Sequence, residues 1–259
     1  MSRLLQTTNT SFEIVDLLME FEGATMKEIS DELGLANSTV HGHLKTLEAN
    51  QLIVKEGNEY HIGLQFFNYG NFTRQRKPEY QYAQDNVEHL ATATSEGANF
   101  CVEEHGQVIV LNGASPAPDP AYDIGNVFHM HTTAVGKAVL AEMDDDEVSD
   151  VVSEWGLPAY TEHTITDEDG LFEELEEIRR TGLAFNHEEM LSGLTAVGIA
   201  VKRPDSSVCG ALSVGGPTYR IGEEKLRTEF GDVIRGTKRR FEAEIRSYYE
   251  ESDDGTALP

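Results

Sequence analysis

The chain has 259 residues, 39% of them hydrophobic, which suits one large or two modest globular domains. It contains no run of about 18 apolar residues, and its N-terminus lacks the apolar core and cleavage site of a signal peptide, so we expect a cytoplasmic protein with no membrane partner. The net charge of −26 excludes a broadly basic DNA-binding surface.

The acidic residues are spread along the chain rather than gathered in one segment, which is typical of halophilic proteins adapted to concentrated salt. In such salt, counterion release contributes little to DNA affinity. DNA therefore remains a candidate partner if one surface is locally free of acid.

The first elements of the chain have the pattern of a winged helix-turn-helix, which we expect to occupy residues 1–69. Thr10 with Glu13 predicts a capping box that opens a first helix, and Thr25 with Glu28 predicts another that opens a second. Gly34 ends the second helix because glycine adopts the left-handed conformation without steric cost. A turn of three to four residues then leads to a third helix, as in a helix-turn-helix.

The third helix, capped by Asn37 or Ser38, is the predicted recognition helix. Its apolar residues recur on one face, and residues 37–47 include no acid. Two short strands around a Gly-Asn turn, in residues 53–62, predict the wing. The expected DNA contacts are Ser38, Thr39, His41, His43 and Lys45 of the helix and Lys55 of the wing. An ordinary helical hairpin followed by a β-hairpin is the alternative.

Residues 64–69 are rich in large apolar side chains and predict an interface between copies of the chain. The alternative is that they close the core of the small domain. Residues 70–80 are polar and partly basic, and they end near Pro78, which disfavours helix before it. We interpret this segment as a linker, which either contacts the DNA backbone or is simply solvated.

Residues 81–250 alternate between helical and strand patterns. Helices are expected at 79–96, 146–155, 167–180 and 223–249, and strands at 98–102, 108–111, 194–201 and 208–214. Helices packed on a mainly antiparallel sheet predict an α+β fold for this domain. The last nine residues, 251–259, are acidic and polar and are expected to form a disordered tail.

Four segments of the chain resemble the IclR-type transcriptional regulators. They are STVHGHLKTLE at residues 38–48, HTTAVGKAVLA at 131–141, GLAFNHEE at 182–189 and GALSVGGPTYRI at 210–221. The resemblance covers nearly the whole chain and implies a GAF-like effector-binding domain, homodimers or homotetramers, and control of a double-stranded DNA operator by a small-molecule effector.

The resemblance also implies an effector site. Backbone amides of Ala134 and Val135 are expected to hold a small carboxylate or related metabolite, and Asn186, Ala196 and Ser213 are expected to complete the pocket. Independently of the family, the residues before Ala134 predict a helix N-terminus, which favours an anion. An ordinary capped helix gives the same pattern.

Other chemistry is not indicated by the sequence. His129 and His131 are expected on one strand face, where His163 or His187 would complete a zinc site, but no third ligand stands at motif spacing. Cys101 and Cys209 are expected to be reduced core residues, with a disulfide between them as the alternative. We expect no catalytic residue and no cofactor. A small-molecule enzyme and a metabolite sensor that acts through a protein partner remain the alternative functions.

Overall fold

A computed structural model describes residues 4–117 and 123–253. The chain divides into two compact units, and the boundary in the sequence falls between Arg76 and Lys77. Within the described residues, no helix is both long and apolar enough to cross a membrane.

The N-terminal unit is a three-helix core with a small sheet. Its elements are α1 (Gln6–Glu20), β1 (Ala24–Thr25), α2 (Met26–Leu33), α3 (Asn37–Ala49), β2 (Ile53–Glu56), β3 (Glu59–Ile62) and α4 (Gln65–Arg74). The sheet has the order β1-β3-β2 with antiparallel pairing. Residues Ile14, Leu18, Ile29, Val40, Leu44 and Ile53 form the centre of its core.

Local sequence signals explain the boundaries of α2. The Thr25 hydroxyl accepts from the Glu28 N–H, and the Glu28 carboxylate accepts from the Thr25 N–H at 2.8 Å, so the predicted capping box is confirmed. The bonds from Thr25 lower the pKa of the Glu28 carboxyl. Gly34 ends the helix with φ of 63° in the left-handed region.

Two predicted caps are wrong. Thr10 lies buried inside α1, which begins four residues earlier at Gln6, because the side chain of Thr10 faces the core instead of the helix end. Helix α3 has Ala36 at its N-cap position and no side-chain cap, so neither Asn37 nor Ser38 has that role. The short turn after Gly34 already fixes where α3 begins.

The segment predicted as a linker, residues 70–80, is helical at both ends. Helix α4 continues to Arg74, and α5 (Pro78–Thr94) begins with Pro78 at its first turn, where a missing N–H costs nothing. Only residues 75–77 lie between the two helices. Phe66 packs against the N-terminal core, whereas Leu64, Phe67 and Phe72 are exposed.

The C-terminal unit is an α+β fold. After α5 come β4 (Gly97–Glu104), β5 (Gln107–Ala114), β6 (Val127–His129), α6 (Ala134–Leu140), α7 (Asp145–Trp155), α8 (Glu168–Thr181), β7 (Ala184–His187), β8 (Leu194–Lys202), β9 (Val208–Pro217), α9 (Glu223–Lys225) and α10 (Gly231–Asp253). A 3-10 turn, Met130–Thr132, precedes α6, and a π-helical turn, Leu226–Phe230, precedes α10. The expected last helix is therefore present as one continuous helical run from Glu223 that contains a π-helical turn.

The six strands form one antiparallel sheet in the order β6-β5-β4-β9-β8-β7. One face packs on α5 and α10 through a core that includes Val87, Leu90, Phe100 and Phe241. The other face packs on α6, α7 and α8 through residues such as Val139, Val148 and Leu175. Helix α10 extends to Asp253, and the rest of the expected tail lies outside the described residues.

Candidate functional site

Helix α3 presents a polar surface on the side away from the N-terminal core. Val40, Leu44 and Leu47 are buried, as the periodicity predicts. The candidate contacts Ser38, Thr39, His41 and Lys45 are all exposed, and His43 is half-buried. The helix therefore leaves a face that carries hydroxyl groups, imidazoles and one ammonium group and no carboxylate before Glu48.

The wing follows α3 as two paired strands, with Gly57 in the left-handed region at their turn. Lys55 is exposed on β2, and its Nζ lies 5.2 Å from the centre of the Tyr60 ring. The ring restricts where this ammonium group can reach. Lys55 and the candidate residues of α3 thus all have solvent access within one compact unit.

A cavity in the C-terminal unit is bounded by the sheet, by the start of α6 and by the segment after β7. All five expected effector contacts line it, and it encloses about 400 Å³ including its open mouth. The lining residues are Asn99, Phe128, Thr133, Ala134, Val135, Asn186, Met190, Leu194, Ala196 and Ser213.

The polar groups of this cavity are mainly hydrogen-bond donors. Thr133 caps α6 by accepting from the Gly136 N–H at 3.0 Å. The N–H groups of Ala134 and Val135 have no hydrogen-bond partner in the described part of the chain, as expected for the first residues of a helix. Asn186 accepts from the Glu189 N–H through Oδ1, which leaves its Nδ2 without a protein partner among the described residues.

Asn99 is a cavity residue that sequence reasoning missed. Its Oδ1 accepts from the Ser213 hydroxyl at 2.8 Å and from the Cys101 thiol, and its Nδ2 makes no hydrogen bond within residues 4–117 and 123–253. The register of β4 against β9 pairs Asn99 directly with Ser213. A polar residue in a strand that is otherwise buried was the only signal in the sequence.

The walls of the cavity are fixed by two close backbone approaches. A Cβ on Gly136 would overlap with the Met130 carbonyl oxygen, and one on Gly198 would overlap with the carbonyl group of Ala134. Glycine at position 136 lets α6 pack tightly on the preceding 3-10 turn, and glycine at position 198 lets it pack tightly on β8. Gly215, two residues after Ser213, does not line the cavity, and a Cβ there would overlap with Ala196.

Lys137 lies directly behind the cavity and is fully buried. Its ammonium group contacts Glu174 of α8 at 2.8 Å and Glu189 at 2.6 Å. Glu189 also accepts from the His187 N–H, and its own carbonyl accepts from Thr164. These contacts anchor the segment that carries the cavity residues Asn186 and Met190.

His131 and both cysteines are buried in the C-terminal unit. His131 donates from Nε2 to the Pro158 carbonyl, and burial lowers the pKa of its imidazole. Cys101 and Cys209 are free and buried, so the alternative disulfide is absent, and burial raises the pKa of both thiols. In the portion of the chain that the structure describes, no group of three His, Cys, Asp or Glu side chains is arranged to hold a metal ion.

Comparison with family models identifies both units. Residues 77–242 match the model described as "Bacterial transcriptional regulator IclR C-terminal", and residues 11–57 match the "IclR helix-turn-helix domain". The chain belongs to the IclR family. This family consists of transcriptional regulators and not of enzymes, so the IclR-type chain is a regulator with a helix-turn-helix domain and an effector-binding domain.

Relatives of this IclR-family chain cover it almost completely. It is 27% identical to the "Probable HTH-type transcriptional regulator ArcR" of Halobacterium salinarum, with 90% of each chain covered. It is 26% identical to the "HTH-type transcriptional regulator BhcR" of Paracoccus denitrificans, with 90% of this chain and 85% of that protein covered. It is also 26% identical to the "Transcriptional repressor IclR" of Escherichia coli, with 89% and 86% covered.

Solved structures share the IclR-family fold. The Thermotoga maritima IclR structure has a TM-score of 0.76 at 22% identity and covers 93% of this chain and 98% of its own. An IclR homologue from Microbacterium hydrocarbonoxydans in complex with 4-hydroxybenzoate has a TM-score of 0.73 at 19% identity, with 87% and 92% covered. The predicted combination of a winged helix-turn-helix with a GAF-like domain is confirmed.

Proposed function

We propose that this IclR-family regulator binds double-stranded operator DNA through α3 and the wing. Its affinity for that DNA falls or rises when a small carboxylate fills the cavity of the C-terminal unit. The observation that carries the effector assignment is the set of unpartnered donors around that cavity. Ala134 and Val135 contribute two N–H groups, and Asn99 and Asn186 contribute two amide NH2 groups.

The chemistry of the lining supports a carboxylate over a cation. Among the residues that the structure describes, no charged side chain lines the cavity and unpartnered donors outnumber acceptors, so an oxygen-rich anionic group is the ligand end that they satisfy. Phe128, Met190 and Leu194 form the apolar part of the wall. We infer a small acid or sugar-derived compound of carbon catabolism, oriented with its carboxylate toward α6 and the amide groups of Asn99 and Asn186 and with its apolar part toward Phe128.

On DNA, we propose that α3 enters the major groove. Ser38, Thr39, His41 and His43 then face base edges, and Lys45 and Lys55 face phosphates. The exposed, acid-free face of α3 supports this assignment in a chain of net charge −26. The same net charge supports adaptation of the protein to concentrated salt. We also propose that the protein is cytoplasmic.

We propose a homodimer or homotetramer, because helix-turn-helix proteins read paired half-sites as dimers. Exposed Leu64, Phe67 and Phe72 near α4 support a contact between copies. We propose residues 1–69 as the DNA-binding domain and 81–250 as the effector domain, connected by residues 70–80, which comprise the end of α4, the non-helical residues 75–77 and the start of α5.

The test uses the full-length protein and a labelled duplex from the region upstream of its own gene. We expect binding by fluorescence anisotropy at fixed salt to change on addition of one member of a series of monocarboxylates from acetate to benzoate. Ser213→Ala is expected to shift that response at least about tenfold in ligand concentration.

Unchanged DNA binding after His43→Ala with Lys45→Ala contradicts the assignment of α3. A protein that binds no duplex at any salt concentration favours a sensor acting through a protein partner.

A further inference from the structure

Among the described residues, a groove between the start of α1 and the exposed face of α3 is lined by hydroxyl side chains, one glycine and one histidine. Thr7, Thr8 and Ser11 border it from α1, and Ser38, Thr39, Gly42, His43 and Thr46 border it from α3. Five exposed hydroxyl side chains and an imidazole thus share one surface in a strongly acidic protein. Helix α1 therefore contributes to the same face as the candidate recognition residues.

Ser11 connects the two sides of this groove. Its Oγ lies 2.8 Å from Nδ1 of His43, a residue 32 positions away in the chain. The same hydroxyl donates to the Thr7 carbonyl at 3.2 Å. A serine hydroxyl has one proton, so an Oγ that donates to Thr7 must accept from His43.

The direction of this bond selects a tautomer of His43. When the Ser11 proton is donated to the Thr7 carbonyl, Nδ1 must carry a ring proton, and Nε2 of a singly protonated ring is then a bare acceptor. Within the described residues, Nε2 has no protein partner, and His43 is half-buried at the edge of the groove. His41, by contrast, makes no hydrogen bond through its side chain to any described residue, and its ring can take either tautomer.

We propose that Ser11 is a specificity-positioning residue, which holds His43 in the Nδ1-protonated form so that Nε2 accepts a hydrogen bond from the exocyclic amino group of an adenine or cytosine in the major groove. Those amino groups are the base donors that the major groove offers, whereas guanine N7 and O6 and thymine O4 are acceptors. The Nδ1-protonated ring therefore rejects guanine and thymine at the atom it contacts. This inference rests on the proposed function of α3.

The first experiment reads base preference with the full-length protein. Duplexes are selected from a random 30-base-pair library at one salt concentration and sequenced for the wild type, Ser11→Ala, Ser11→Thr and His43→Ala. We expect one position of each half-site to prefer adenine or cytosine on the contacted strand by roughly fivefold or more. The preference should disappear in Ser11→Ala and His43→Ala and remain in Ser11→Thr, which keeps the hydroxyl.

Matched controls separate this effect from general weakening. Thr8→Ala removes a hydroxyl from the same groove and helix without touching His43, and it should leave the preference at that position intact. His41→Ala should alter a different position. A motif that survives Ser11→Ala and His43→Ala unchanged, or a wild-type preference for guanine at the position that His43→Ala relaxes, overturns the proposal. If the wild type enriches no sequence, the proposed function of α3 fails instead.

The second experiment measures the tautomer directly and depends on no loss of affinity. In protein labelled with 15N at its nine histidines, the ring signals of His43 are identified by their absence in His43→Ala. We expect Nδ1 of His43 to show the chemical shift of a protonated nitrogen and Nε2 that of a bare one. Ser11→Ala should reverse this pattern. A wild-type His43 that is already protonated on Nε2 alone overturns the proposal.

Discussion

The ammonium group of Lys137 and the carboxylate of Glu189 lie 2.6 Å apart, and both side chains are almost entirely shielded from solvent. Lys137 is on α6, whose first residues line the cavity of the C-terminal unit, and Glu189 follows β7 between the cavity residues Asn186 and Met190. One buried ion pair therefore links two walls of the cavity. A second bond from Lys137 to Glu174 extends the link to α8.

Removal of this cation should be severely destabilising. Lys137→Met leaves the Glu189 carboxylate buried and without a counter-charge, and we expect a loss of about 3–5 kcal/mol in the free energy of unfolding. Urea unfolding followed by the fluorescence of the single tryptophan, Trp155 in the C-terminal unit, measures it. Lys137→Met combined with Glu189→Gln should recover part of the loss. Lys202→Met, which breaks a partly exposed pair with Glu142, is the control and should cost no more than about 1 kcal/mol.

Asn99 should control effector affinity although it lies in the centre of the sheet. Asn99→Ala removes an amide NH2 group from the cavity and also the acceptor of the Ser213 hydroxyl. We expect the carboxylate identified by the anisotropy series to bind at least about tenfold more weakly, as measured by calorimetric titration. Asn112→Ala changes a buried asparagine on the neighbouring strand that does not line the cavity. Equal weakening in both variants indicates a general loss of stability instead of a lost contact.

His131 should make the C-terminal unit less stable in acid. Burial holds the pKa of its imidazole below the ordinary value of 6.5, so the unfolded chain binds a proton at a pH where the folded chain does not. The stabilisation is present above pH 6.5 and is lost as the pH falls through the lower folded pKa. Urea midpoints between pH 8 and 5 should therefore fall more steeply for the wild type than for His131→Gln. If the urea midpoints of the wild type and His131→Gln fall in parallel with pH, His131 is excluded as a source of the pH dependence of stability.

The salt dependence of operator binding should report on Lys45. Each phosphate contact contributes about 0.9 to the slope of log K against log salt concentration, so Lys45→Ala should reduce the slope by about that amount. Lys238→Ala, in a helix-surface pair with Glu242 in the C-terminal unit, should leave the slope unchanged. A slope that Lys45→Ala does not alter places this ammonium group away from phosphate.

The exposed aromatic residues of α4 should stabilise the assembly of copies. Phe67 and Phe72 are 75% and 73% exposed, and burial of such side chains against another copy would contribute roughly 1.5–3 kcal/mol each. Phe67→Ser with Phe72→Ser should raise the dissociation constant in analytical ultracentrifugation by at least about tenfold. Tyr219→Ser changes an equally exposed aromatic residue in the C-terminal unit and serves as the control. An unchanged distribution of species contradicts the proposed contact.

Much of the architecture follows from local signals. The Thr25–Glu28 capping box and Gly34 define α2, because the groups that satisfy each helix end are within three or four residues in the chain. The hairpin of β8 and β9 and the helix α8 also agree with their periodicities. The failed cap at Thr10 shows the limit of such signals, since the same threonine is buried by contacts from outside its own helix.

By itself, the sequence determined the order of the elements, the acid-free face of α3 and, through the family resemblance, five residues that converge on one cavity. Only the tertiary structure decided that Asn99 joins them, because strand register and not composition sets which residue meets Ser213. Only the tertiary structure, likewise, brings Ser11 to His43 across 32 positions. Hydrogen bonds between distant segments depend on packing of the whole unit, and no short window of sequence contains that information.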